Sequence, residues 1–230
     1  CVAAASTTMA ASDLMTPETL WSMHRVGGQT ASPDGKRVAY TVSTPDIAAN
    51  KIRTSICLIN ADGSGRTVLT PQGSSESQPA FIHKGNRIAF LSAGNLWTMD
   101  TAGADRRQLY DGGDLEGFLF SPDETMVILI RQVEATGSIQ PQEKDLPLAT
   151  GLVIDDMNYK HWDQYVRTIP HIFLASVDGD AVSIQKDILE GEPYECPMLP
   201  FGGTEQFCWS PDGTQIAYTS RKKTGVAYAT

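Results

Sequence analysis

The stretch Trp209-Ser210-Pro211-Asp212-Gly213-Thr214-Gln215-Ile216-Ala217-Tyr218 repeats, almost position for position, Ala31-Ser32-Pro33-Asp34-Gly35-Lys36-Arg37-Val38-Ala39-Tyr40. Two looser copies lie between them. Phe81-Ile82-His83-Lys84-Gly85-Asn86-Arg87-Ile88-Ala89-Phe90 keeps the glycine and the apolar run, and Phe120-Ser121-Pro122-Asp123-Glu124-Thr125-Met126-Val127-Ile128-Leu129 keeps Ser-Pro-Asp. The unit has a mechanical reading. Proline presets φ at the first corner of a turn, aspartate bonds its side chain to the backbone ahead, and glycine takes positive φ without a Cβ penalty. The run after the turn places a small residue between two large ones, which suits a central strand packed on both faces.

A second hairpin follows each unit, at Ser55–Gly65, Asn95–Asp105 and His171–Asp180, and its outgoing strand is short and polar, as in Arg106-Arg107-Gln108-Leu109. Two hairpins per repeat make four antiparallel strands, the last on the outer rim, which is the blade of a β-propeller. The spacing from Gly35 to Gly85 is 50 residues and from Gly85 to Glu124, at the turn-glycine position, 39, close to a blade length of roughly 40–50. From Glu124 to Gly213 the gap is 89, yet it holds one second-hairpin element. The chain is therefore expected to be all-β: three blades and the start of a fourth over residues 27–230, with a long insertion at 133–168. Such an arc cannot close, and an exposed blade face is expected. Ahead of it, residues 13–26 form a helical segment, with Thr16 as N-cap, Pro17 at the first helical position and Glu18 favoured by the helix dipole.

Composition narrows the partners. A net charge of −9 and a pI near 4.8 exclude a phosphate backbone as the expected ligand, and Arg221-Lys222-Lys223 is too short a basic run to reverse that. No apolar run reaches the ~18 residues of a membrane helix. Residues 1–12 are small and apolar, the composition of a signal-peptide remnant; a disordered tail and a lipid-anchored Cys1 are the alternatives, and a periplasmic or secreted location is expected. Cys57 sits in an apolar strand and is expected to be buried. Cys196 and Cys208 flank one loop and leave a bridge open.

The chain carries no Gly-x-Ser-x-Gly nucleophile elbow. His24, His83, His161 and His171 show no metal-ligand spacing, and Gly63-Ser64-Gly65 lies in a hairpin without the helix of a phosphate loop. No catalytic residue, cofactor or metal ligand is assigned. Two segments stand outside the repeat. One is the end of the insertion, Tyr159-Lys160-His161-Trp162-Asp163-Gln164-Tyr165, which is either a binding element or a local core built on Trp162 and Tyr165. The other is Glu190-Gly191-Glu192-Pro193-Tyr194-Glu195, where close carboxylates either hold a cationic group such as a peptide α-ammonium or face water. Candidate substrate-binding residues are Glu192, Glu195, Tyr159, Trp162 and Asp163.

These segments, with Met15-Thr16-Pro17-Glu18-Thr19-Leu20 and Ser220-Arg221-Lys222-Lys223-Thr224-Gly225, resemble the N-terminal propeller of prolyl-oligopeptidase-like serine peptidases, in particular the Bacteroides-type dipeptidyl peptidase V branch. The Ser-Pro-Asp-Gly unit alone is shared with TolB-like propellers; the insertion and the basic segment are the more specific part. The resemblance implies a larger protein. Its propeller would be followed by a C-terminal α/β-hydrolase domain with a Ser, Asp and His triad, and the whole would release dipeptides from free peptide N-termini through an acyl-enzyme. None of those catalytic residues falls in this sequence, and the paired-glutamate motif of the dipeptidyl peptidase IV branch is not recognisable. A homodimer stays open. The alternative is a non-enzymatic TolB-like propeller that binds envelope proteins.

Overall fold

The computed structural model describes residues 14–70, 75–135 and 168–222, together with residues 148 and 150 and the backbone of four two-residue strands between 140 and 165. It is built from sequential antiparallel sheets. Blade one contains β1 (Arg25–Ala31), β2 (Arg37–Asp46), β3 (Lys51–Asn60) and β4 (Thr67–Val68) in spatial order. Blade two contains β5 (Glu76–Ile82), β6 (Arg87–Ser92), β7 (Asn95–Asp100) and β8 (Arg107–Tyr110). Blade three takes β9 (Leu115–Phe120) and β10 (Met126–Glu134). It then skips the short pairs β11 (Gln140–Pro141) with β12 (Leu152–Val153) and β13 (Tyr159–Lys160) with β14 (Gln164–Tyr165), and resumes with β15 (Thr168–Asp178) and β16 (Ala181–Asp187). A further hairpin, β17 (Phe207–Trp209) with β18 (Ile216–Tyr218), follows. Among the described residues no sheet closes on itself, and the blades follow one another in chain order, as the repeat count anticipates.

The Ser-Pro-Asp-Gly turns behave as their chemistry dictates. In the first, the Gly35 N–H donates to the Ser32 carbonyl, the Ser32 hydroxyl donates to Asp34 at 2.6 Å, and the Arg37 N–H returns to the Ser32 hydroxyl. The same ring recurs at Ser121–Met126 and Ser210–Gln215. Gly35 and Gly213 sit at φ +68° and +70°. Glu124 occupies the equivalent place at φ +61°, a conformation costly for a residue with a Cβ. Its carboxylate compensates by accepting the His83 N–H at 2.8–2.9 Å and pairing with His83 Nδ1 at 2.9 Å, which straps blade two to blade three. The Ser210 hydroxyl, followed by the Thr214 N–H and hydroxyl, pulls the Asp212 carboxyl down to about 2. Its contribution to the turn is therefore complete above pH ~4 and fades as the pH falls through ~2.

Packing between blades forms the core. Ala39, Ile56, Leu58 and Leu69 of blade one meet Ile88, Phe90 and Met99 of blade two. The other face of blade two, with Ile82, Ala89, Leu91 and Leu96, packs on Phe118, Val127, Leu129, Phe173 and Ala175 of blade three. Ile128, Ile130 and Ile172 turn the opposite way, onto Leu189, Cys196 and Phe207. The central strands of blades two and three thus bury both faces, and in blade two the small Ala89 sits between Ile88 and Phe90. On the rim, Arg107 bridges Asp105 and, across the blade boundary, Asp180 at 2.7 Å.

The helix α1 (Pro17–Ser22) has the expected N-cap: the Thr16 hydroxyl accepts the Thr19 N–H. Its Leu20 and Trp21, with Met23, Val26, Ile47 and Ile52 beside them, remain exposed, and the Arg25 guanidinium lies 5.3 Å from the Trp21 ring centroid. Cys57 is buried, as its strand anticipates, and Cys57, Cys196 and Cys208 are all free thiols, which leaves the Cys196–Cys208 bridge unmade. Burial raises the Cys196 thiol to about 11 and keeps it in its unreactive form.

Candidate functional site

The two ends of the insertion and the segment after β16 lie at one end of blade three. The last pair of β10 and β15, Glu134 with Thr168, marks the points where the insertion leaves and returns. After β16 ends at Asp187, the Ile188 N–H donates to Ile172 and the Cys196 N–H to Pro170. Residues 188–196 therefore fold back over the root of β15, beside the insertion's return.

A buried pair fixes that corner. The Asp187 carboxylate accepts the Leu189 N–H through Oδ1 and bonds His171 Nδ1 through Oδ2 at 2.8 Å. His171 is 3% exposed, and its Nε2 has no hydrogen-bond partner. The ring is thus oriented by the start of the acidic segment, and its register partner on β10 is Arg131. The Arg131 guanidinium binds Asp114 and lies over the Phe173 ring, while the Tyr110 hydroxyl donates to the other oxygen of Asp114.

The three carboxylates of the acidic segment have different environments. Glu190 and Glu192 are exposed. Glu195 is 2% exposed, with its carboxylate 3.5 Å from the Arg221 guanidinium and its carbonyl accepting the Ser220 hydroxyl. The basic stretch that follows β18 thus returns to the acidic one. Of the insertion residues, Tyr159 is described through its backbone, which pairs with Tyr165 in the β13–β14 hairpin. Trp162 and Asp163 lie outside the described residues.

The axial edge of the same end carries a cluster that the sequence does not announce. Leu115 pairs with Arg131 and Gly117 with Ile130, so Glu116 is the extra residue of a β-bulge. A matching irregularity in β5 falls at Gln78 and Pro79, and Gln78 takes φ +50°. Gln78 Nε2 donates to the Glu116 carbonyl at 2.8 Å, and Gln132 Nε2 to the Glu116 carboxylate at 2.9 Å. A proline inside an otherwise regular strand is the one trace of this in the sequence. His171 and Asp187 were equally hidden, since they meet only through strand pairing.

Among the described residues, no group of three or more His, Cys, Asp or Glu side chains is placed to hold a metal ion, and no helix is long and apolar enough to cross a membrane. The corner presents fixed carboxylates, amides and one oriented imidazole.

No family model matches the chain. Among curated proteins, it is 45% identical over 220 residues to a dipeptidyl-peptidase 5 of Porphyromonas gingivalis, covering 94% of this chain and 32% of that protein. It is 40% identical over 223 residues to the dipeptidyl-peptidase 5 of Porphyromonas endodontalis, covering 95% and 32%. The chain thus spans about a third of the length of these relatives. Among solved structures, the acylaminoacyl peptidase of Pyrococcus horikoshii superposes with a TM-score of 0.53 over 74% of this chain and 26% of its own, at 13% identity, a likeness of fold.

Proposed function

We propose that this chain is the propeller part of a prolyl-oligopeptidase-like serine dipeptidyl peptidase, a protein that releases dipeptides from peptide N-termini. The observation that carries the proposal is the 45% identity, sustained over nearly the whole chain, to a protein named dipeptidyl-peptidase 5. The share of that relative left uncovered provides room for an α/β-hydrolase domain in the same protein, which supplies the serine nucleophile, its base and the oxyanion hole. The propeller's part is to restrict access to that domain and to help hold the substrate. Peptide is the partner on this reading, a homodimer is compatible with it, and the small, apolar residues 1–12 favour a periplasmic or secreted location, with a lipid anchor on Cys1 as a variant of it.

Within the propeller, the end of blade three where β10 ends, β15 begins and residues 188–196 fold back is the proposed substrate-facing corner. Glu192 and Glu195, with Tyr159, Trp162 and Asp163 of the insertion, are its candidate contacts. Carrying Glu192→Gln, Glu195→Gln and Asp163→Asn together in the full-length enzyme is expected to lower kcat/KM for dipeptidyl substrates about 100-fold, the scale of losing a charge-assisted contact or two. An unchanged kcat/KM removes these residues from substrate binding. The reading frame beyond Thr230 separates the proposal from a TolB-like binding propeller: a Gly-x-Ser-x-Gly elbow supports the peptidase, and a stop codon after further blades supports the binding module.

A further inference from the structure

The chain leaves β16 without leaving the edge of β15. Pairing of the two strands stops at Asp187, opposite Phe173, and the next two carbonyls on that edge of β15 are taken by the loop that follows: Ile172 accepts the Ile188 N–H, and Pro170 accepts the Cys196 N–H. These carbonyls belong to residues two apart on an extended strand, about 7 Å. Residues 188–196 are therefore an Ω-type loop with a narrow neck. Leu189 and Cys196 bury the foot of the loop among Ile128, Ile130 and Ile172, while Glu190 and Glu192 stay exposed.

His171 is the residue between the two neck carbonyls, and its side chain adds a further tie. Both oxygens of Asp187 act as acceptors, Oδ1 for the Leu189 N–H at 2.9 Å and Oδ2 for His171 Nδ1 at 2.8 Å. A carboxylate has no proton to give, so the ring's proton on this bond sits on Nδ1. Nε2 makes no hydrogen bond, and the polar work of the ring is done by Nδ1. The Asp187 side chain is 16% exposed, near enough to water to turn outward once the imidazole is removed. The Leu189 N–H would then lose its acceptor, and the neck one of its fastenings.

We propose that His171 is a positioning residue: by holding Asp187 through Nδ1 it fixes the neck of the 188–196 loop, and with it the place of Glu192 and Glu195 relative to substrate. It is 3% exposed and acts through Asp187, so it touches no substrate itself. The effect on substrate rests on the dipeptidyl peptidase reading of this corner; the hold on the loop does not.

Two amide side chains separate the roles of the two ring nitrogens. Asparagine carries its nitrogen the same number of bonds from Cα as Nδ1, and glutamine carries it one bond further out, near the place of Nε2. In the full-length protein, His171→Asn is therefore expected to keep the tie, whereas His171→Gln and His171→Leu lose it. Steady-state release of dipeptide from a chromogenic dipeptidyl substrate is measured beside amide hydrogen exchange of residues 188–196. The leucine and glutamine variants are expected to raise KM about tenfold with kcat within about twofold, the pattern of lost binding without lost chemistry, and to exchange faster in the loop. The asparagine variant is expected to stay within about twofold of wild type in KM, with wild-type exchange. Asp187→Ala breaks the same tie at a less buried position, so it carries the test if His171→Leu does not fold. It is expected to raise KM by a similar factor, and the two substitutions together to add little, as for residues that act as one unit. Unchanged exchange in His171→Leu, or glutamine restoring what asparagine does not, overturns the proposal. Faster exchange with an unchanged KM overturns the substrate role. If the wild-type protein releases no dipeptide, the peptidase reading falls, and the exchange pattern of the asparagine and glutamine variants alone decides whether His171 holds the loop.

Discussion

Phe90→Ala is expected to lower the stability of the propeller by about 3–5 kcal/mol, the range for emptying a fully buried phenylalanine site. Phe90 has no exposed surface and lies where blades one and two meet, in the cluster with Ala39, Ile56, Leu58, Leu69, Ile88 and Met99. Its neighbours belong to paired strands of two sheets, so they cannot collapse far into the space without disturbing both ladders. The ring also supports the Arg106 guanidinium, 5.1 Å from its centroid. Urea unfolding of the full-length protein, followed by tryptophan fluorescence, checks the loss. A change within about 0.5 kcal/mol, typical of a surface substitution, would show that blade packing at this boundary does not limit stability.

Arg106→Met is expected to cost a similar amount, about 3–5 kcal/mol, for an electrostatic reason. Glu76, the first residue of β5, is completely buried, and one of its oxygens is 3.1 Å from Arg106 while the other has no hydrogen-bond partner. Removing the guanidinium strands a carboxylate away from water, and that penalty, more than the loss of the pair's attraction, sets the effect. The double substitution Arg106→Met with Glu76→Leu is therefore expected to regain most of what Arg106→Met loses. If the double variant is as unstable as the single one, packing of the arginine over Phe90 and Trp97 is what matters, and the buried charge is not.

The elements that sequence reading located are those whose cause is local. The ring at Ser210–Gln215 closes within six residues, through a hydroxyl, a carboxylate and a glycine at positive φ, so its residue types suffice to announce it. Four-stranded blades follow from two such hairpins per repeat, and the insertion is visible as a gap in their spacing. The helix start was legible for the same reason, through Thr16 and Pro17. What escaped notice depends on residues far apart in the chain. Glu124 reads as a defective turn glycine until His83, 41 residues earlier, is found on its carboxylate. Gln78 and Glu116 meet across 38 residues and a blade boundary. The segment Glu190–Glu195 reads as three alike carboxylates, whereas the return of Arg221 to Glu195 gives that residue an environment unlike the other two. Charge and spacing pointed to the corner; strand pairing decides how its groups are placed.

The most direct test of the proposed activity is product analysis by mass spectrometry after the full-length protein is incubated with an unmodified decapeptide and with its N-acetylated copy. Successive dipeptides from the free N-terminus, none from the acetylated copy, and loss of all release after treatment with a serine-directed fluorophosphonate are the predicted results. An intact decapeptide, or cleavage only at internal bonds that ignores acetylation, would contradict the account.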